Sequence, residues 1–436
     1  MGTDLSGNTY GRTLKDAVDW KLIICYLLLI FIGWINIYAS IHSSEPSSIF
    51  DWSCRSGKQA IWILSAFALD LLILFVINPR LWEVISTPAY IFVLGLLIAV
   101  IFLGVEVKGS RSWFALGPVR FQPAEISKIT TSMLLAMIMS RPNFRISERR
   151  YFLQAAAIIG LPMLVILGES ETGSALVYVG FIFVLYREGL SGWFLFFLGM
   201  SILIFILTLT TKWWISAAVV GVVAAVYLWR KLKISQRESK VVKLKIIRNT
   251  ILALTAGLAL IFATNFIFEN VLQDHQRKRI EVLLGMKEDP SGVGYNVRQS
   301  MIAIGSGGLF GKGFLHGTQT TYGFVPEQST DFIFCTIGEE WGFVGCLFVI
   351  LLYAYMIARI LNDAEDCRES FTRIYGYCLA ACLFMHLFIN IGMTIGLMPV
   401  IGIPLPLLSY GGSSLWAFSI MIFIFIALYR QEKKFF

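Results

Sequence analysis

Residues 331–358 read DFIFCTIGEEWGFVGCLFVILLYAYMIA, an almost unbroken apolar run whose only charged side chains lie in its first part. A helix needs roughly 20 mostly apolar residues to cross the hydrocarbon core of a bilayer. Segments of the same character occur on both sides of this run, although the stretch 193–229 also allows another division. The twelve predicted spans are 22–41, 59–77, 88–103, 123–139, 151–167, 174–186, 193–210, 213–229, 250–268, 331–358, 374–395 and 413–429.

The composition excludes a water-soluble protein. Of the 436 residues, 57% are hydrophobic and 15% are charged, whereas soluble domains carry roughly 25% charged residues. The same figures exclude a disordered, a collagen-like or a disulfide-framework chain. The seven cysteines and four histidines show no spacing that is typical of a zinc or haem site. We therefore predict an all-α polytopic membrane protein with about 10–12 transmembrane helices.

Basic residues predict the orientation of the chain in the membrane. If the N-terminus is cytoplasmic, the inner segments carry 23 Lys and Arg residues and the outer segments carry 12. Cytoplasmic loops of membrane proteins are enriched in Lys and Arg, and the even number of spans places both termini on the cytoplasmic side. This bias also accounts for the net charge of +8 without a nucleic-acid partner.

The same orientation places one long loop, residues 269–330, on the outer face of the membrane. Its length of about sixty residues is far above that of usual connections. Loops of this length are functional or disordered, and this one retains Tyr, Phe, Ile and Leu among its glycines. We therefore expect an ordered, functional loop.

The first polar cluster is SRSWFALGPVRFQPAEISK, residues 110–128. Pro123 suits the first turn of a helix, and an anion such as Glu125 is favoured near a helix N-terminus. Glu125 and Lys128 are three residues apart and share one helix face. Ionisable residues inside a span are functional candidates, but an ion pair that only orients helices is the alternative. Two further candidates precede this helix: Trp113 and Arg120.

The second cluster is GYNVRQSMIAIGSGGLFGKGFLHGTQ, residues 294–319, in which five glycines surround Lys312. It is not a P-loop, because the GxxxxGK pattern would need glycine in place of Ser306 and a hydroxyl residue in place of Gly313. Glycines nevertheless let the backbone approach a ligand, and Lys312 adds a cation for a phosphate group. The alternative is a flexible or re-entrant loop that binds nothing.

The third cluster is VPEQSTDFIFCTIGEEWGFVG, residues 325–345. Asp331 lies where the long outer loop enters the next span, beside apolar residues, and is a candidate general base. The alternative is a helix cap formed with the preceding hydroxyl residues. Glu339 and Glu340 lie about two turns deeper. They are candidates for a proton or ion site, or for partners of a buried base such as Lys128.

The fourth cluster is NIGMTIGLMPVIGIPLPLLSYGGSS, residues 390–414. Its prolines and glycines interrupt an otherwise apolar helix. Non-helical backbone at membrane depth needs protein or water around it, so the pattern predicts a broken helix that lines a cavity. A tight loop at the outer surface is the alternative.

Together these motifs resemble the SEDS family (shape, elongation, division and sporulation). The segments that carry the resemblance are RFQPAEISK, AIGSGGLFGKGFLHGTQ, PEQSTDFIF with GEEWGFVG, and NIGMTIGLMPVIGIPLPLLSYGGSS. GLFGKGFLHGTQ and FVPEQSTDFIF are more similar to the elongation member than to the division member. The resemblance implies a peptidoglycan glycosyltransferase in the bacterial cytoplasmic membrane, which polymerises lipid II into glycan strands with a class B penicillin-binding protein as its transpeptidase partner.

The resemblance also implies roles for single residues. The essential aspartate of the family's PExxTDF motif corresponds to Asp331, which we expect to be the general base. The remaining candidates are expected to bind substrate: Trp113, Arg120, Glu125, Lys128, Lys312 and Glu327. Among them, Lys312, Lys128 and Arg120 are expected to hold phosphates, and a divalent cation such as Mg²⁺ or Mn²⁺ is the expected cofactor.

Two features depart from the family pattern. The family usually has ten spans, so residues 193–249 are predicted to be an extra helical hairpin with a basic cytoplasmic loop, inside a single domain of residues 1–436. The family's acidic residue after the fifth span is commonly Asp, whereas this chain has ESETGS, in which Glu171 stands in for it. A lipid-precursor flippase and a non-catalytic scaffold of the cell-wall synthesis complex are the alternative functions.

Overall fold

The computed structural model is composed of helices and one small sheet. It describes residues 18–42, 48–107, 110–117, 119–235, 239–272, 274–286 and 292–434. Most of the predicted inner segment at the N-terminus lies outside the described residues, as do parts of the predicted hairpin region 193–249 and of the predicted loop 269–330.

The first half of the described chain holds eight helices. They are α1 (Trp20–Ile41), α2 (Arg55–Phe75), α3 (Arg80–Leu103), α4 (Pro123–Met139), α5 (Arg149–Gly168), α6 (Thr172–Val177), α7 (Phe181–Arg187) and α8 (Trp193–Thr210). The other described helices are α9 (Trp213–Ile234), α10 (Lys240–Asn270), α11 (Asp274–Leu283), α12 (Val293–Ser306), α13 (Thr318–Thr321), α14 (Ile333–Glu365), α15 (Ser370–Thr394) and α16 (Gly412–Lys434).

Ten of the described helices are long and apolar enough to cross a membrane: α1, α2, α3, α5, α8, α9, α10, α14, α15 and α16. The predicted all-α membrane fold is therefore confirmed, and each of the twelve predicted spans overlaps helical residues. Two of them are not full-length candidates. The span predicted at 123–139 is the 17-residue helix α4, and the one predicted at 174–186 is divided between α6 and α7 by a 3₁₀ turn, Tyr178–Gly180.

The chain divides into two compact units, residues 190–295 and the remainder. The smaller unit contains α8 to α11, and its helix α9 buries only Ser216. Because α10 begins at Lys240, most of the basic segment that was predicted as a loop is helical. That residues 193–249 are an insertion relative to the family stays a prediction.

The larger unit carries a small antiparallel sheet between α3 and α4. Its strands are β1 (Val105–Val107), β2 (Ser110–Leu116) and β3 (Val119–Phe121), in the order β1-β2-β3. Trp113 of β2 lies opposite Val105, and Arg120 of β3 lies opposite Ala115. The chain then enters α4 at Pro123, the first helical residue, where a missing backbone N–H carries no penalty.

The buried centre of the larger unit is formed by α4, α15 and α16. Almost every residue of α4 is buried, and α15 is buried along most of its length. Small side chains permit such close packing of membrane helices. At Gly376 of α15, for example, an added Cβ would lie 2.6 Å from the Phe425 ring of α16 and 2.8 Å from Ala364 of α14.

A break in α14 shapes the glycine-rich segment that precedes it. Gly342 is non-helical, with φ 68° and ψ −162°. Across this break, the N–H groups of Lys312 and Gly313 donate to the carbonyls of Glu339 and Glu340, each at 3.0 Å. Residues 307–313 therefore lie directly along the interrupted helix.

The segment between α15 and α16, residues 395–411, has no helix. Ile403, Leu405 and Leu408 within it are nevertheless buried. The prediction that helical structure is interrupted here is confirmed, and the interruption is packed inside the protein. Buried backbone of this kind needs hydrogen-bond partners, and these partners connect the segment to Asp331, as described below.

Candidate functional site

Asp331 follows a tight turn that Glu327 organises. Glu327 has φ 55°, and its carbonyl accepts hydrogen bonds from the N–H groups of Thr330 (3.1 Å) and Phe332 (3.2 Å). The Thr330 hydroxyl also donates to Glu327 Oε2 at 3.0 Å. A positive φ is uncommon for a residue with a side chain, so Glu327 fixes the backbone that presents Asp331.

The half-buried Asp331 is linked by hydrogen bonds through Asn390 to the segment 395–411. Asn390 of α15 is fully buried, and its Nδ2 donates to the carbonyls of both Asp331 (2.9 Å) and Ile403 (2.7 Å). An added Cβ at Gly402, whose φ is +78°, would lie 3.3 Å from Asp331 Oδ2. The Asp331 carboxylate therefore lies directly beside this segment.

Arg55 brings a positive charge to the residues that precede Asp331. Its Nη1 donates to the Ser329 hydroxyl at 2.5 Å, and its guanidinium lies 5.9 Å from the Tyr410 ring centroid. The Tyr410 N–H donates in turn to the Ser329 carbonyl at 2.8 Å. Sequence reasoning missed Arg55, although a basic residue at the outer end of a predicted span was an available signal.

The predicted pair of Glu125 and Lys128 is formed, and it is deeply buried. Lys128 Nζ lies 2.9 Å from Glu125 Oε2 and 2.8 Å from His386 Nε2. The Lys128 side chain has no exposed surface, and the Phe418 ring centroid lies 5.1 Å from its ammonium group. This environment contradicts the expectation that Lys128 lies open to a phosphate group, because buried cations in proteins require partners of their own.

Lys312 also has protein partners. Its Nζ lies 2.7 Å from Glu339 Oε1 and 2.7 Å from the Thr318 hydroxyl, and about a quarter of its side chain is exposed. Glu339 additionally accepts the backbone N–H groups of Thr318 (2.7 Å), Gln319 (2.8 Å) and Thr320 (2.9 Å). The Lys312 ammonium therefore neutralises a buried carboxylate.

The glycines around Lys312 have a packing role. An added Cβ at Gly307 would lie 2.0 Å from the Gly338 carbonyl oxygen, and one at Gly311 would lie 2.1 Å from the Glu340 carbonyl oxygen. These glycines approach the backbone of α14, which differs from the predicted phosphate cradle. Both the phosphate role of Lys312 and the alternative, a flexible or re-entrant loop that binds nothing, stay predictions.

The small sheet brings Arg120 to the start of α16. The Ser413 hydroxyl donates to the Arg120 carbonyl at 3.2 Å, and the Arg120 side chain is exposed. Trp113, on the neighbouring strand β2, is half-buried. Arg120 and Arg55 thus approach α16 and the segment before it, from β3 and α2 respectively.

Glu171 is anchored by two serines of β2. Its Oε1 accepts hydrogen bonds from the hydroxyls of Ser110 (3.1 Å) and Ser112 (2.7 Å). The neighbouring Glu169 is only 3% exposed, and neither of its carboxylate oxygens has a hydrogen-bond partner. Burial, reinforced by the charge of Glu171, raises the pKa of Glu169 to about 8.

Within the described part of the chain, no three His, Cys, Asp or Glu side chains are grouped as a metal ion would require. The described residues therefore include no set of side chains that fits a protein-built metal centre. The expected use of Mg²⁺ or Mn²⁺ stays a prediction.

The predicted site residues thus fall into separate groups. Asp331 and Glu327 share one turn, and the Glu125–Lys128 pair reaches the same region through His386. Arg120 and Trp113 lie on the sheet. Lys312 lies at the break in α14, where it pairs with Glu339. Arg55, His386 and Asn390 were not among the predicted site residues.

Comparisons with known proteins identify the family. A family model described as "Cell cycle protein", for FtsW, RodA and SpoVE, matches residues 19–245 and 241–434. The chain is 33% identical over 433 residues to peptidoglycan glycosyltransferase MrdB of Escherichia coli (strain K12), covering 98% of each chain. It is 32% identical over 412 residues to peptidoglycan glycosyltransferase RodA of Treponema pallidum, covering 91% of this chain and 94% of the relative.

Solved structures agree with this relationship. One, described as "Structural coordination of polymerization and crosslinking by a peptidoglycan synthase complex", has a TM-score of 0.66 at 27% identity. The crystal structure of Thermus thermophilus rod shape determining protein RodA has a TM-score of 0.59 at 25% identity. Each match covers 95% of this chain and 98% of the other.

The predicted similarity to the elongation member is also confirmed. The relatives named MrdB and RodA are 33% and 32% identical, whereas relatives named FtsW from Geobacter sp. (strain M18) and Haemophilus influenzae are 24% and 26% identical. The chain therefore belongs to the FtsW/RodA/SpoVE family, and it resembles the RodA type within it.

Proposed function

We propose that this protein is a peptidoglycan glycosyltransferase that polymerises lipid II during cell elongation, with Asp331 as its general base. Relatives that match almost the whole chain are named peptidoglycan glycosyltransferases. The observation that carries the assignment of the base is the position of Asp331. This half-buried carboxylate is held by Asn390 and lies two residues from the arginine-bound Ser329.

The chemistry needs a base, a cation and a lipid-accessible groove. Asp331 takes the proton from the attacking sugar hydroxyl, whose oxygen then bonds to the anomeric carbon of the second sugar. The bond from that carbon to the diphosphate breaks, and the diphosphate leaves with the electron pair. We propose that Arg55, which bonds Ser329, and the exposed Arg120 stabilise the negative charge that develops on the leaving group. A positioned general base contributes roughly 10²–10⁴-fold to the rate.

The proposed location is the bacterial cytoplasmic membrane, with both termini cytoplasmic and Asp331 on the outer side. The bias of basic residues supports this orientation. We further propose a class B penicillin-binding protein as the partner, since one structural neighbour comes from a peptidoglycan synthase complex of polymerisation and crosslinking. Co-purification from membranes that contain both proteins tests this association, and persistent failure to associate would contradict it.

A lipid flippase is the second candidate. The buried ion pair of Glu125 and Lys128 and the break in α14 at Gly342 are features that transporters also use. Purified protein incubated with lipid II in detergent separates the two functions, because flipping does not occur without a bilayer. Glycan strands formed under these conditions support polymerisation, and their absence under every partner condition would contradict it.

The decisive experiment compares Asp331→Asn with Asp51→Asn. The first change keeps the shape of the side chain but removes its basicity, so glycan synthesis should fall by roughly 10²–10⁴-fold. Asp51 is an aspartate of the loop before α2 whose side chain bonds Ser53, and its replacement by Asn should leave synthesis nearly unchanged. Equal synthesis by wild type and the Asp331 variant, at equal protein level, would show that Asp331 is not the general base.

A further inference from the structure

Two side chains of α15 hold the segment 395–411 in place beside Asp331. They are Asn390 and His386, which are four residues apart and therefore lie on one helix face. Asn390 bonds the carbonyls of Ile403 and Asp331. His386 bonds the next carbonyl along the segment, that of Pro404, through Nδ1 at 3.1 Å.

The contacts of His386 define its tautomer. A carbonyl oxygen only accepts hydrogen bonds, so Nδ1 carries the proton and donates it to the Pro404 carbonyl. Nε2 then accepts from the Lys128 ammonium group, 2.8 Å away, which is the role of a neutral imidazole. The same ammonium group also donates to Glu125 Oε2 at 2.9 Å.

These contacts form one continuous chain of hydrogen bonds, from Glu125 through Lys128 and His386 to Pro404. The three side chains of this hydrogen-bond chain are each at least 98% buried: Glu125, Lys128 and His386. The chain connects the start of α4 with the segment that contacts Asp331. A buried polar network whose members are satisfied rigidifies the structure around it.

We propose that His386 and Asn390 are positioning residues for Asp331, and that Glu125 and Lys128 act on catalysis through His386 without binding phosphate. This inference rests on the proposed function, because it names what holds the base of that reaction. Positioning matters at this scale, since a displacement of about 1 Å reduces a rate by roughly 10²-fold. Because Lys128 is fully buried, its role does not involve contact with substrate. Its hydrogen bond to His386 orients that side chain instead.

The test compares His386→Phe with His386→Gln. Phenylalanine fills the space but offers neither hydrogen bond, whereas the glutamine amide offers one acceptor for Lys128 and one donor for Pro404. For the purified protein acting on lipid II, the Phe variant should lose about 10–100-fold in kcat with KM nearly unchanged. The Gln variant should recover most of that loss. A dominant rise in KM, or equal losses in both variants, would overturn the proposal.

Tyr375→Phe is the matched control. This residue lies on the same helix, is fully buried and donates a hydrogen bond to the Met421 carbonyl at 3.3 Å. Its replacement removes one buried hydrogen bond without touching the chain that ends at Pro404, so kcat should stay near that of wild type. A loss equal to that of His386→Phe would mean that any weakened packing of α15 slows the enzyme, which would overturn the specific role of His386.

The role of Lys128 is tested by combining Lys128→Met with His386→Phe. If Lys128 acts through His386, the double variant should lose no more activity than the worse single variant. Multiplied losses, or a KM effect confined to Lys128→Met, would overturn the link and return Lys128 to substrate binding.

Hydrogen exchange separates this inference from the proposed function. Amide exchange within residues 395–411 should become faster in His386→Phe and stay near the wild-type rate in His386→Gln, whatever the reaction turns out to be. If wild type makes no glycan strands but exchange follows this pattern, the proposed function fails and the positioning of the segment stands. If wild type polymerises lipid II and exchange is the same in all variants, the positioning inference fails alone.

Discussion

At the scale of single residues, Glu169 differs from the other acids near the small sheet. The Glu171 carboxylate accepts hydrogen bonds from two serine hydroxyls. Glu106 is exposed, and its Oε2 lies 3.5 Å from Arg111 Nε. The Glu169 carboxylate is buried, and neither of its oxygens has a hydrogen-bond partner. A buried carboxyl without a partner is disfavoured in its charged form, so burial favours the protonated form of the Glu169 carboxyl in the folded protein.

This residue predicts a pH-dependent stability. Its folded pKa of about 8 lies above the ordinary value of 4.5, so its favourable contribution is complete below about pH 4.5 and is lost as the pH rises to about 8. Glu169→Gln removes this titration, and its melting temperature should exceed that of wild type by an amount that grows from about pH 5 to about pH 8. The full effect is on the order of 3–5 kcal/mol.

The measurement is thermal unfolding of the purified protein in detergent across this range. Glu106→Gln is the control, because it makes the same chemical change at an exposed acid of the small sheet. If the difference between Glu169→Gln and wild type were constant with pH, Glu169 would be charged or paired throughout.

At the scale of the elements, the break in α14 and the glycine-rich segment depend on each other. Gly342 leaves the helical conformation with φ 68°, and the N–H groups of Phe343 and Val344 then bond the carbonyls of Gly308 and Leu309. The freed backbone groups of the helix are thus satisfied by the segment that packs against it. This exchange is what non-helical backbone at membrane depth requires.

Gly311→Ala should disrupt this pairing. A Cβ at Gly311 would lie 2.1 Å from the Glu340 carbonyl oxygen, and the residue has φ +80°, a conformation that costs a side-chain residue about 1 kcal/mol or more. With the added clash we expect a loss of about 2–4 kcal/mol and a lower melting temperature.

Gly305→Ala is the control for this experiment. Gly305 lies in α12, and an added Cβ there meets nothing within 4 Å, so alanine should be neutral or stabilise by up to about 1 kcal/mol. Equal melting temperatures for Gly311→Ala and wild type would show that residues 307–313 are not packed closely on α14.

At the scale of the whole molecule, the distribution of charge predicts how the chain crosses the membrane. Inner segments carry 23 basic residues against 12 in outer segments, and positively charged loops stay in the cytoplasm. An alkaline phosphatase reporter, which is active only outside the cytoplasm, should therefore be inactive when it is fused at the C-terminus in a Gram-negative host. The same reporter inserted in the exposed turn after Tyr322 should be active. The reverse pattern would invert the topology and place Asp331 inside.

The sequence by itself determined the membrane fold and the pairing of Glu125 with Lys128. A spanning helix must be apolar over its whole length, so each span is visible locally, and the i, i+3 spacing of Glu125 and Lys128 already predicted the pair that is formed. The family and its activity were also predictable, because long ordered motifs such as PEQSTDFIF carry them. The roles of the individual site residues stay predictions.

Only the tertiary structure decided which partners the polar residues have. Lys128 and His386 are 258 residues apart in the chain, and Arg55 and Ser329 are 274 apart, so no local pattern connects them. The sequence pattern of Lys312 among glycines predicts a phosphate site. The same pattern also arises where glycines pack against a helix backbone, so the sequence does not distinguish the two cases. A buried charge takes whichever partner the packing of distant helices brings within reach, and that packing is a property of the whole fold.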